Sequence, residues 1–434
     1  MSKKLLSKVD AQTMESEETS NLNPLRLKKR VLFVLATLWG ENGITTHLMA
    51  LGKGFKDLGW EVAIASGIAN TDTDASQEAK KAIDRFKKEE IQHFEISFRS
   101  LGIDLINIFS TGKTVQQFSS IVHQFSPDVI HLHSLSIAPY VKLIAARYGI
   151  PMISTSHLEP QSLNPSIGIK KFINQWISPI WGDRLIAISS EIQAFFETSL
   201  QVGDRVRRVH HGMDESYFRP PTDEERYQAK IVLGLEETDD VICLIGRLDP
   251  IKGHDVLIQA LAILKEDGMR PIALFAGKGY GLETQRVQLQ AEQVGVLSQI
   301  RCLGIVDSRQ VLWASDILTL PSRREGFPLV ILEAMLCGIV PIRTPAAGAL
   351  DQIQQGITGW IVPFDNPKEL ADCLKKTLQD ITLKKKMSQA ALQVSRSEFT
   401  TRRMILNTLE IYDEVIVKNE QKYSTSIALL NRRI

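Results

Sequence analysis

Residues 316–335 read DILTLPSRREGFPLVILEAM: a short apolar run, a polar loop with one glycine, and a second apolar run. DILTLP has the marks of a buried parallel strand, being short, β-branched at intervals and stopped by Pro321 and Ser322. A helix that begins at a strand's carboxyl end is the unit of an open α/β sheet, and ligands bind outside those strand ends. The unpaired N–H groups of such a helix's first turn form an anion site worth roughly 0.3 to 1 kcal/mol per charge. Phosphate is the natural guest. Glu325 stands just outside that turn, and Glu333 follows two turns deeper. Two carboxylates beside a phosphate nest suggest hydroxyl groups on either side of it, as in a sugar nucleotide. A helix cap and a solvated face residue are the plainer alternative.

Upstream, VICLIGRLDPIKG (residues 241–253) repeats the design, with a buried strand, Gly246 at its end, then Arg247 and Lys252. The planar fork of Arg and the compact charge of Lys suit a diphosphate that gains charge as it departs. Two surface cations in a loop are the alternative. Gly253 lets the following helix approach closely.

Gly-Arg-x4-Lys followed by Glu-x7-Glu resembles the retaining, GT-B-type glycosyltransferases of family four, the group-one glycosyltransferases. The stretch from Ala314 to Asn366 follows that family's C-terminal pattern almost throughout, and RVRRVHHGMDESYFRP resembles its interdomain segment. The resemblance covers about residues 30 to 415. It implies a hexosyltransferase-type enzyme that moves a sugar from a nucleotide-diphosphate donor, with uridine preferred on family frequency, to a hydroxyl of a saccharide, lipid-linked or small-molecule acceptor. It also implies work toward polysaccharide or glycoconjugate, with no cofactor beyond the donor substrate.

The chain has 434 residues, more than one hydrophobic core usually serves, so two α/β domains are expected. Strand and helix alternate from VLFVLAT onward and again from VICLIG, which predicts two Rossmann-like, doubly wound domains facing a central cleft. The expected divisions are a disordered tail (1–30), an acceptor-side domain (31–218), a linker at RPPTDEERYQAK (219–232), a donor-binding domain (233–399) and a terminal helical segment (400–434). By resemblance the last segment crosses back onto the N-terminal domain. Asp365 or Asn366 should cap a helix with Pro367 at its first position.

Lys plus Arg number 51 against 50 Asp plus Glu, so no whole-molecule field recruits nucleic acid. Cys243, Cys302, Cys337 and Cys373 lack CxxC spacing, which argues against zinc and disulfides and for a reducing cytoplasm. No apolar run reaches the ~20 residues that span a bilayer. The segment IKKFINQWISPIW sets Ile169, Phe172, Ile173, Trp176 and Ile180 near one helical face beside two lysines. It is a candidate for peripheral contact with an anionic inner membrane face, or an ordinary packed helix.

On the N-terminal side, Asn42 and Gly43 stand where the family has a glycine-rich loop facing the diphosphate, ahead of a helix capped by Thr45 or Thr46. The pattern falls short of a dinucleotide fingerprint, and neither domain carries a full one, which disfavours a nicotinamide enzyme. His157 closes PMISTSH and matches the histidine that the family places beside the transferred sugar; a structural histidine is the alternative. His131 and His133 share one strand face and could mimic a metal pair, but no third ligand has suitable spacing. His210 and His211 lie near the hinge. The triplet Asp72-Thr73-Asp74 reads as a helix cap rather than a metal-binding motif, so the chemistry is expected to need no metal.

By resemblance Glu325 holds the donor's sugar hydroxyls, Glu333 the ribose, and the backbone around Gly326, Phe327 and Leu329 the distal phosphate. Pro328, having no N–H, removes one such donor. Gly277-Lys278-Gly279 is expected to shape the donor pocket. An inactive, donor-binding subunit of the same fold is the competing function, one that would hold a nucleotide sugar or a partner enzyme.

Overall fold

The computed structural model describes residues 28–40, 42–68, 74–96, 108–157, 182–199, 202–279 and 282–431. The N-terminal tail, the Asp72-Thr73 pair and the Ile169–Ile180 segment lie outside the described residues.

Two all-parallel sheets are present. The first comprises β1 (Arg30–Leu38), β2 (Glu61–Ile68), β3 (Gln92–Glu95), β4 (Val129–Leu132), β5 (Met152–Ser156), β6 (Arg184–Ala187) and β7 (Val206–Arg208), in the order β3-β2-β1-β4-β5-β6-β7. The second comprises β8 (Val241–Ile245), β9 (Ile272–Ala276), β10 (Ile300–Gly304), β11 (Ile317–Leu320), β12 (Val340–Arg343) and β13 (Trp360–Ile361), in the order β10-β9-β8-β11-β12-β13. Each order reverses beside its first strand, at β1/β4 and β8/β11, which opens a crevice at the strands' carboxyl ends. These are two Rossmann-like, doubly wound domains.

Period-two alternation explains the layering. Leu32 and Val34 of β1 point into one core, while Val31, Phe33 and Leu35 point into the other. In β8, Val241 and Cys243 face one side, and Ile242 and Leu244 the other. The core on the first side of each sheet is continuous between the domains and takes in Met213, Phe218, Phe327 and Phe399.

The helix Thr401–Asn431 returns to the first sheet. Its Tyr412 is fully buried and stacks on Phe55 at 5.0 Å, and its hydroxyl meets His131 Nδ1 at 2.6 Å. Glu414 pairs with Arg184, and Asp413 with Lys29 at 2.8 Å. Among the described residues no helix is long and apolar enough to cross a membrane.

The stretch expected as a linker is instead a helix, Asp223–Val232, with Thr222 as its cap. The Thr222 hydroxyl accepts from Glu225 N, and the Glu225 carboxylate accepts from Thr222 N and is forked by Arg219. Its charged residues are fasteners rather than linker: Arg226 donates to the carbonyls of Trp313 and Ser315, and buried Lys230 donates to those of Glu237 and Asp239. Thr222→Ala should therefore lower unfolding free energy by about 1 kcal/mol, read as a shift of the urea midpoint. An unchanged midpoint would show that Arg219 and Glu225 hold the helix start alone.

Candidate active site

The site forms where the strands' carboxyl ends of both sheets meet. On the C-terminal side, Gly246 ends β8 and Gly277 ends β9, and a Cβ on Gly277 would sit 1.9 Å from the Gly246 carbonyl oxygen. Gly277 also has φ +148°, so two loops lie against each other where only glycine fits. Leu248 bridges to Gly279 and its N–H donates to the Lys278 carbonyl, which fixes the loop that carries Arg247. Asp249 caps the short turn Pro250–Lys252, and Gly253, at φ +75°, lets the chain turn against the Pro321 carbonyl. Lys252 is thereby aimed across the strand ends. Its Nζ lies 2.7 Å from Glu325 Oε1, with the side chains only 21% and 10% exposed. Arg247 does not join them. It is 61% exposed and, among the described residues, its one ion pair is with Asp249, at 3.6 Å.

Pro328 occupies the cap position of the helix Leu329–Leu336 and supplies no side-chain hydrogen bond, so the first-turn N–H groups carry no side-chain cap. Glu325 is not the cap; Lys252 holds it. Gly326 sits under the opposite domain, where a Cβ would fall 2.1 Å from the His157 carbonyl oxygen. The Phe327 side chain is buried, stacks on His210 at 5.2 Å and meets Phe399 edge-on at 5.8 Å, so this residue also joins the domains. Leu329 is buried near Gly43, whose Cβ would lie 3.8 Å from Leu329 Cδ1. Glu333, one face deeper, is raised to about 7 chiefly by burial; the charge of Asp307 adds to the shift and the Ser308 hydroxyl opposes it.

On the N-terminal side, Asn42 caps the helix Gly43–Asp57, accepting from the N–H groups of Ile44 and Thr45. The capping expected of Thr45 or Thr46 is therefore done by Asn42, while the Thr45 hydroxyl donates to the Gly40 carbonyl. His157 lies at the end of β5, its Nε2 3.0 Å from His133 Nδ1. His47 Nδ1 lies 2.8 Å from His211 Nδ1, and the His47 ring packs against both His133 and His157. Burial keeps these imidazoles uncharged, lowering His157 to about 4 and His47, His133 and His211 well below the ordinary value. The pair expected on one strand face does lie together there, with ring centroids 4.1 Å apart, but the partners differ: His131 bonds Tyr412 and Thr155, whereas His133 bonds His157.

Several site residues gave no motif. Arg343, at the end of β12, is almost fully buried; burial lowers it to about 10 against the pull of Glu325, Glu191 and Asp351. It donates to Gln352 and to the carbonyls of Ala346 and Ala347, shaping the loop next to Phe327. Two carboxylates then cross between domains: Asp351 accepts from Ser190 N at 2.6 Å, and Glu191 from Gly348 N at 2.9 Å. An arginine inside an otherwise apolar strand, IVPIRT, was the available signal for the first. The crossing pair had none, because their partners are backbone groups 161 and 157 positions away.

The resulting cleft offers cations and an uncapped helix end on one wall, imidazoles on the other, and two carboxylates between. Comparison with known proteins identifies the family. The family described as "Glycosyl transferases group 1" matches residues 225–394, and "Glycosyltransferase Family 4" matches residues 41–217. The chain is 27% identical to a D-inositol 3-phosphate glycosyltransferase of Jonesia denitrificans, over 67% of this chain and 72% of that one. A protein of the same name from Salinispora arenicola is 28% identical over 67% and 69%. Among solved structures, a glycosyltransferase from Rickettsia africae superposes with a TM-score of 0.78 at 23% identity, covering 91% of this chain and all (100%) of that one. HepE of Anabaena, in complex with UDP and glucose, gives a TM-score of 0.74 at 18% identity, covering 89% and 100%.

Proposed function

Because the chain belongs to the group 1 glycosyltransferases of GT-B type, we propose that it moves a sugar from a nucleotide-diphosphate donor to an acceptor hydroxyl with retention of configuration. The observation that carries this reading is the Lys252–Glu325 pair, 2.7 Å apart, beside the uncapped start of the helix Leu329–Leu336. A diphosphate seated there meets the ammonium and first-turn N–H groups that no side chain caps, and Arg247 has its fork available to close over it.

In this reading Glu325, held by Lys252, accepts from the sugar hydroxyls, and Glu333 accepts from the ribose. The His157 ring stands beside the sugar. The bond from the anomeric carbon to the diphosphate oxygen breaks, and a bond to the acceptor oxygen forms on the same face. The acceptor's proton passes to the departing phosphate oxygen. Charge gathering on that oxygen is met by Lys252, Arg247 and the helix dipole, so no metal is needed at the diphosphate. Uridine as base is supported by the UDP held in HepE. Inositol 3-phosphate, named for the relatives, joins saccharides and lipid-linked sugars as an acceptor to test. A cytoplasmic setting accords with four free thiols. Peripheral contact with the inner membrane face belongs to the lipid-linked case.

The test is a panel of nucleotide sugars with these acceptors, read by nucleotide release and by the anomeric configuration of the product. Release with retention is expected for at least one pair. Donor binding without release for any acceptor would instead make the chain a binding subunit.

A further inference from the structure

The imidazoles of the N-terminal wall are more than a backing for His157. His47 comes from the helix after β1, His133 from the end of β4 and His157 from the end of β5. Although 110 positions separate His47 from His157, one nitrogen from each of the three lies within 4.8 Å of the others. We propose that His47, His133 and His157 form a binding site for one divalent transition-metal ion of the zinc class, in the inner wall of the cleft.

Four observations converge. First, His47 Nε2 and His133 Nε2 are buried and have no hydrogen-bond partner among the described residues, an expense that a polar atom rarely bears without a use. Second, His47 holds His211 through Nδ1 at 2.8 Å, which fixes its ring while leaving Nε2 unused, the arrangement by which metal-ligating imidazoles are oriented. Third, the partners of these rings are other imidazoles rather than carboxylates, so they stay neutral, the form that ligates. Fourth, tetrahedral zinc with bonds of ~2.0–2.1 Å sets its nitrogens about 3.4 Å apart, so small ring rotations close the present spacing. An all-imidazole set suits zinc, cobalt, nickel and copper, and excludes magnesium and calcium, which prefer oxygen.

His157 is half-buried, at the cleft edge, and gives the ion a route in. The same ring stands beside the sugar in the function proposed above. If that reading holds, ion and donor compete for it and the metal inhibits transfer. Metal binding itself does not depend on that reading.

The test uses full-length, untagged, chelator-treated protein titrated with cobalt(II) and followed by visible absorption. The expected result is one ion per chain with the intense bands of a four-coordinate site. His47→Gln and His133→Gln should each weaken binding at least tenfold, while His123→Gln, at an exposed position, should not. A faint six-coordinate spectrum, or equal affinity in all variants, overturns the site. Should the buried variants not fold, X-ray absorption of the zinc-loaded native chain decides. Three or more imidazole nitrogens are expected there, and a shell of water oxygens refutes the proposal. Neither readout involves sugar transfer, so failure of the transferase reading leaves it standing.

Discussion

Lys252→Ala is expected to lower turnover by roughly 10² to 10³, the loss seen when one preorganised group facing a developing charge is removed. The ammonium is not placed by a flexible stem alone. Asp249 caps the turn before it, Gly253 bends the chain against Pro321, and Glu325 takes its Nζ at 2.7 Å. Replacement leaves Glu325 largely enclosed without its cation, so the single variant loses stability as well as rate. The two effects separate in Lys252→Met combined with Glu325→Gln, which removes both charges and keeps the volume. That pair should melt close to the native chain and remain inactive. Arg247→Ala is the cleaner probe, since that side chain is 61% exposed and, among the described residues, has one long ion-pair contact. It should lower turnover by a comparable factor with no change in melting temperature. Normal rates in both Lys252→Ala and Arg247→Ala would sink the assignment of this loop to the diphosphate.

Sequence alone was informative wherever the chemistry is local. The run from β11 into the helix Leu329–Leu336 is legible because a buried parallel strand and a helix differ in length and punctuation, and because Pro321 and Pro328 mark both joints. Asn366 was legible as a cap because the side chain that fills it and Pro367 are adjacent. The two edge strands of the first sheet were not. β3 is QHFE, half-exposed, with no apolar run, and β7 lies inside the basic RVRRV stretch that reads as a connection. The helix Asp223–Val232 was hidden by composition: its charges look like a solvated linker until the partners of Arg226 and Lys230 are known. The imidazole cluster was beyond spacing for the same reason. Its members share no segment, and the parallel order of β1, β4 and β5 brings them together.

Glu333 is where burial makes the largest prediction about pH. Its carboxyl titrates near 7 in the folded chain against an ordinary value of 4.5, mainly through burial. Between those values the folded state keeps a proton that the unfolded chain has released. The stability this group contributes is therefore complete below pH 4.5 and is lost as pH rises through 7. Glu333→Gln should raise the unfolding midpoint relative to the native chain at pH 8, with the advantage shrinking toward pH 5. Nucleotide binding runs the other way. To accept from two ribose hydroxyls the carboxylate must be ionised, so the donor binds the deprotonated form and a proton is released on binding below neutrality. Kd for the nucleotide should weaken by about tenfold between pH 8 and pH 6 through this group. In Glu333→Gln it should be about 10- to 100-fold weaker at pH 8, the loss of hydrogen bonds to a charged acceptor, and flat with pH. Calorimetry at pH 6.5 in two buffers of different ionisation enthalpy checks this directly. A native chain that releases no proton when it binds nucleotide has its ribose held elsewhere.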